Sequence, residues 1–128
     1  MNLVPASKFD LETAELAAAA GWPAVQPVVT DLLEWLQDYN WPVARVLAPF
    51  LASIGDPLVP FLRPILAGDD ALWKYWIIQT VIFEAPATVA KALRPELQRL
   101  VQGPSPTEVE EEVSAVATAA LARIAHLD

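Results

Sequence analysis

Cysteine is absent from this 128-residue chain, which removes disulfides, thiolate nucleophiles and thiolate metal sites together. A single histidine, His126, leaves no imidazole cluster to hold a metal, and no cofactor is expected. The four glycines form no phosphate-cradling loop, and no serine sits in a nucleophile elbow. Positive charge is scarce: eight Lys and Arg face sixteen Asp and Glu, for a net charge of −8. The deficit is even, with three basic against seven acidic residues in 1–64 and five against nine in 65–128. Such a surface repels nucleic acid and anionic lipid at long range and suits a basic or neutral partner. Long apolar runs are missing too. The uncharged stretch Leu16–Thr30 holds Gly21, Pro23 and Pro27 and is shorter than the ~20 residues a spanning helix needs. Asp10, Glu12 and Glu15 interrupt the place where a signal peptide's apolar core would lie. The expectation is a cytoplasmic protein that engages neither membrane nor nucleic acid.

What is present points to one compact domain over 1–128. Apolar residues make up 55% and charged residues 19%, enough to bury a core but too little for two separate ones. The twelve prolines act as punctuation, since the first helical turn tolerates a missing N–H. Asn40 with Pro42, and Asp56 with Pro57, read as helix starts with a side-chain cap. Gly21, Gly55, Gly68 and Gly103 each follow an apolar-periodic stretch and read as left-handed stops. The resulting map is all-α: helices near 10–20, 24–38, 41–54, 57–67, 71–84, 87–101 and 107–127, with no period-two segment. Pro49, Pro64 and Pro95 fall inside three of these, so kinks or short breaks are expected there. The last helix reads as the most secure, with Thr107 and Glu110 as a capping box and four glutamates (Glu108, Glu110, Glu111 and Glu112) in a solvated, dipole-matched first turn.

The chain repeats itself at a shift of thirty residues. Pro27 falls on Pro57, Val29 on Val59, Leu32 on Leu62, Leu36 on Leu66, Asn40 on Asp70, Val43 on Trp73 and Leu47 on Ile77. In each copy an apolar helix ends, a polar residue restarts the chain, and a second apolar helix follows. A two-helix unit of this size cannot bury its inner face alone, so copies stack into a short α-α superhelix of about seven helices. Helices 87–101 and 107–127 supply a divergent third pair, and helix 10–20 closes one end.

The run from Leu32 to Ala44 resembles the HEAT-repeat pattern, with Asp38 at the inter-helix acidic position and Val43 at the next core position. Lys74 matches the basic position of the following unit, whereas Ala44 and Gly68 depart from the pattern. More closely, the chain is similar to a family of bacterial domains of unknown function marked by an Asp-x-Asn-Trp-Pro-Val-Ala segment, here Asp38 to Ala44, and an Asp-Asp-x-x-Trp-Lys-Tyr-Trp segment, here Asp69 to Trp76. That resemblance covers nearly the whole chain. It implies a HEAT-like helical-repeat fold and no known activity.

The residues that carry chemistry also have plainer explanations. Trp41, Trp73 and Trp76 either pack the core or wall an aromatic recess, and packing is the simpler account of aromatics at helical spacing. Lys74, the lone charge between Asp70 and Glu84, pairs with Asp70 one turn earlier or with Asp38 in the preceding unit. An amine held by a carboxylate keeps its proton, so a structural role ranks above a catalytic one. Asp69, Asp70 and Asn40 read as caps. His126 lies in a last helical turn, where the dipole favours its charged form. Lys91, Arg94 and Arg99 make only a modest basic stripe.

The expected function is that of a non-catalytic helical-repeat domain, adaptor or immunity-like by analogy, that binds a basic or neutral protein. The chain is expected to be a monomer or a weak homodimer, the latter through the last helix. The alternative is a small-molecule site, with enzymatic chemistry open, around Trp41, Trp73, Trp76 and Lys74. Lys74→Met is expected to lower the melting temperature. An unchanged melt with lost ligand binding would reverse the ranking of the two roles.

Overall fold

The computed structural model describes residues 2–127, whose regular secondary structure is helical with no strand among them. Nine α-helical segments follow in order: α1 (Leu11–Ala20), α2 (Val29–Glu34), α3 (Pro42–Ile54), α4 (Val59–Ala67), α5 (Ala71–Ile77), α6 (Ala87–Ala92), α7 (Arg94–Gln102), α8 (Pro106–Glu110) and α9 (Val113–Ile124). There are two more than the sequence suggests, because the stretches read as 87–101 and 107–127 are each divided. Gln26–Val28 and Asp56–Leu58 form 3-10 turns, and Ile78–Ile82 extends α5 as a π-helix.

Two stretches thirty residues apart have a similar order of elements. In both copies a proline-bearing 3-10 turn leads into a short α-helix, 26–34 in the first and 56–67 in the second. A second helix then follows, α3 in one copy and α5 with its π extension in the other. The core runs through both: Leu32, Leu36, Leu47 and Leu51 from the first copy, and Leu62, Leu66, Ile77 and Ile82 from the second, are fully buried. α3 packs against α1 and against the π-helical run. α9 packs against α7, α6, α5 and the π-helical run, burying Val113, Val116, Ala117, Ala120 and Ile124. No single helix is long and apolar enough to cross a membrane among the described residues; α3 and the segment 56–67, apolar together, are bent by 108° between them.

Several boundaries follow the sequence for the expected reason. Asp10 caps α1, its Oδ1 accepting from the Thr13 N–H at 3.2 Å. The Ala6 and Thr13 N–H groups together hold that carboxyl below its ordinary value. Gly21 and Gly55 end α1 and α3 with φ of 71° and 78°, a backbone that a side chain would strain. Gly68 and Gly103 also follow helices, but both have negative φ, so left-handed stops occur at two of the four positions.

Other boundaries differ. α3 and α4 run unbroken through Pro49 and Pro64. Both prolines lie on exposed helix faces, as do Arg45 and Pro60 four residues before, so the carbonyls deprived of a donor turn toward water. A break does occur at Pro95: Leu93 leaves helical geometry (φ −97°, ψ 10°), and the proline falls in the first turn of α7, where it is tolerated. Asn40 is not a cap; Trp41 occupies the N-cap position of α3 without a side-chain bond. α2 ends at Glu34 rather than 38, tightened by i→i−3 bonds at Trp35, Leu36 and Gln37. The long last helix is divided at Glu111 and Glu112, where Glu112 is left-handed (φ 61°, ψ 26°), an uncommon state for a residue with a Cβ.

That break yields a prediction. Glu112→Gly is expected to leave the melting temperature unchanged or higher, whereas Glu112→Ile, branched at Cβ, is expected to lose ~1–2 kcal/mol. A thermal melt showing the reverse order would contradict a left-handed residue at this position.

Candidate functional site

Three helices, α5, α7 and α8, build an ion cluster beside a polar cleft. Lys74 on α5 is 3% exposed and donates to Glu108 Oε2 at 2.5 Å. Glu108 on α8, 2% exposed, also receives both arms of the Arg99 guanidinium from α7, each at 3.0 Å. Glu108 Oε1 accepts from the Ser105 N–H at 2.8 Å, and Ser105 Oγ accepts from the Glu108 N–H at 3.1 Å. These two bonds form a reciprocal capping box at the start of α8. Arg99 reaches the carbonyls of Leu66 and Gly103 as well, which ties the cluster to the end of α4 and the α7–α8 turn.

Every oxygen lone pair direction of Glu108 faces a donor, and its acidity shows it. Burial by itself raises the carboxyl, but the hydrogen bonds from Arg99, Lys74 and Ser105 and the charge of Lys74 outweigh it, taking it from 4.5 down to about 2. Lys74 therefore faces a permanent carboxylate at neutral pH.

The expected partners of Lys74 were Asp70 and Asp38, and the observed one is neither. Asp70 caps α5, its Oδ1 accepting from the Trp73 N–H at 3.0 Å, as its place before an apolar helix suggests. Asp38 accepts from the Asn40 N–H at 2.8 Å, a local turn that occupies one carboxylate oxygen; Asn40 is otherwise exposed. Asp69 is exposed at the rim of a polar cleft of about 460 Å³ that also exposes edges of Lys74, Arg99 and Glu108. Glu108, assigned above to a solvated turn, and Arg99, assigned to a basic stripe, are the two site residues that the sequence reading misses. The signal was available: Ser105-Pro106-Thr107-Glu108 is itself a capping-box pattern, and Pro106 at the first helical position selects Ser105 as cap over Thr107.

The three candidate tryptophans do not share a recess. Trp73 is half-buried between the two repeat copies, its Nε1 donating to the Leu33 carbonyl at 3.0 Å, beside a small apolar cleft of about 220 Å³. Trp76 lines a cleft of about 630 Å³ with Tyr39, Tyr75, Pro49 and Glu84. Its ring meets Tyr39 at 5.4 Å and Tyr75 at 5.0 Å between centroids, and its Nε1 is buried without a partner. Thr80 on the π-helical floor of this cleft donates to the Trp76 carbonyl at 2.6 Å. Trp41 lies in a third place, edge to face with Trp35 at 5.5 Å, in a groove of about 380 Å³ with Asp31 and Glu34. Among the described residues, no group of three or more His, Asp or Glu is arranged to hold a metal ion.

A fold with no strand among the described residues, and a buried Lys74–Glu108 pair whose hydrogen bonds are met within the chain, define an α-helical domain. The chain belongs to the family described as "Domain of unknown function (DUF5071)", whose model matches residues 3–121. None of the curated proteins matches the chain.

The cluster makes stability depend on acid in one direction. A carboxyl lowered from 4.5 to about 2 on folding stabilises the fold fully above 4.5, and that contribution is lost as pH falls toward 2. The stability advantage of the wild type over Glu108→Gln, measured by denaturant unfolding, is expected to shrink across that interval. An advantage that stays constant down to pH 2 would show that Glu108 is not held as the buried carboxylate.

Proposed function

We propose that this chain is a non-catalytic, HEAT-like helical-repeat module, a short α-α superhelix, that binds another protein, basic or neutral, in the cytoplasm. The observation that carries the reading is how charge is divided between cations engaged by the fold and carboxylates left unpaired. The cations are engaged within the fold: buried Lys74 and exposed Arg99 hold Glu108, and Arg123, also exposed, reaches the carbonyls of Phe83 and Ala85. Outside, exposed carboxylates such as Asp31, Glu34, Asp69, Glu84 and Glu110 have no ion pair among the described residues. A net charge of −8 displayed in this way steers a cationic partner and suppresses anionic ones. The direct bond from Trp73 in one repeat copy to Leu33 in the other supports the stacked-repeat arrangement on which an extended binding surface depends.

A small-molecule reading is favoured by one observation, the cleft at Tyr39, Tyr75 and Trp76, whose volume of about 630 Å³ falls within the ~300–1,000 Å³ of ordinary ligand sites. It no longer includes Trp41, Trp73 or Lys74. The two readings separate in one set of experiments. Affinity capture from the source cells is expected to return a stoichiometric protein partner whose binding weakens as salt is raised. Repeated capture without one, together with a melting shift on adding small aromatic ligands, would favour the cleft instead.

A further inference from the structure

The geometry points to a specific contact within the protein-interaction reading, on which it rests: the groove between the N-terminal segment and the α2–α3 turn takes an arginine side chain of the partner protein. The groove is lined by Val4, Pro5, Trp35 and Trp41 together with Asp31, Glu34 and Gln37. The two indoles are fixed edge to face, 5.5 Å apart at 77°, and both are half-buried, so each keeps ring surface open to solvent. Asp31 and Glu34 are three residues apart on α2 and share one helix face. Both are exposed, and neither carboxylate has a hydrogen bond or ion pair among the described residues.

The nearby cations are already engaged elsewhere. Arg45 donates to the Tyr39 carbonyl and lies over the Tyr39 ring, and Lys8 lies over Phe9. The groove thus presents aromatic faces and two like charges that repel each other and lack a counter-charge. A cation relieves that repulsion and gains the indole quadrupole at the same time. Arginine fits better than lysine, because its planar guanidinium stacks on an indole while its edge donates two parallel hydrogen bonds to a carboxylate. A neutral apolar anchor would fill the space but leave both carboxylates unmatched.

The test uses the full chain and an acetylated, amidated tri-arginine peptide, followed through the indole N–H resonances of the five tryptophans. Trp35→Phe and Trp41→Phe assign two of them. The peptide is expected to shift those two, and the double variant Asp31→Asn/Glu34→Gln to weaken binding about tenfold or more, with the fold checked by its melt. Removing two charges elsewhere, in Glu110→Gln/Glu111→Gln, is expected to change affinity less than about threefold, and tri-lysine to bind at least about threefold more weakly than tri-arginine. Equal losses in the two double variants, equal binding of the two peptides, or shifts confined to other indoles would overturn the site. Wild type and Asp31→Asn/Glu34→Gln as parallel baits separate this site from the broader reading. A partner retained equally by both overturns the groove alone, whereas no partner on wild type with peptide binding intact overturns the interaction reading alone.

Discussion

The rest of the structure depends on a buried ammonium that must have a counter-charge. Lys74 is placed by the periodicity of α5 beside Ala71, Ile77 and the π-helical core, almost entirely buried with only an edge open to the polar cleft. An unpaired charge there would cost several kcal/mol, so some carboxylate has to be delivered to it. The chain delivers Glu108 from 34 residues away. Doing so fixes α8 against α5, sets Ser105 as its cap, and recruits Arg99 from α7 to complete the coordination of the carboxylate. The long final helix written in the sequence cannot both deliver Glu108 and bury the Val113–Ile124 face on α7. The left-handed turn at Glu112 reconciles the two demands.

Much of the architecture was legible from local chemistry. Helical periodicity gave the all-α class, glycine gave the position of four helix ends, and Asp10 and Asp70 cap their helices because a carboxylate before an apolar run has little else to bond. A 3-10 turn leads into a short helix at both 26–34 and 56–67, the two stretches that the thirty-residue shift aligns. The failures arise where a distant contact overrides a local preference. The stretch 107–127 has good helix formers throughout, and nothing within it announces that Glu108 is needed elsewhere. The π-helical run after Ile77 is equally silent in periodicity, although Thr80 bonding back to Trp76 is the kind of local competition that loosens an α-helix.

The candidate site was legible in its residues but not in its pairings. Lys74 was recognisable as a paired cation because it stands alone on an apolar helix, yet spacing rules favoured Asp70 and the repeat analogy favoured Asp38. Both carboxylates are held by backbone N–H groups close in sequence, which satisfies them locally and keeps them from the interior. The tryptophans divide in the same way. Trp73 joins the two repeat copies through Leu33, whereas Trp41 and Trp76 open onto separate surfaces because they lie in different copies and on different elements. The proposed function builds on that division: Lys74 and Arg99 are engaged in joining helices, whereas several carboxylates and indoles lie at the surface.

The most direct test of this account is a double-mutant cycle on Lys74→Met and Glu108→Gln, read as unfolding free energies at neutral pH. If the buried pair organises the fold, the two substitutions are strongly non-additive, with a coupling of about 2 kcal/mol or more and a double variant more stable than the sum of its parts implies. A coupling below about 0.5 kcal/mol would mean that the two residues act independently and that something other than this ion pair places the final helices.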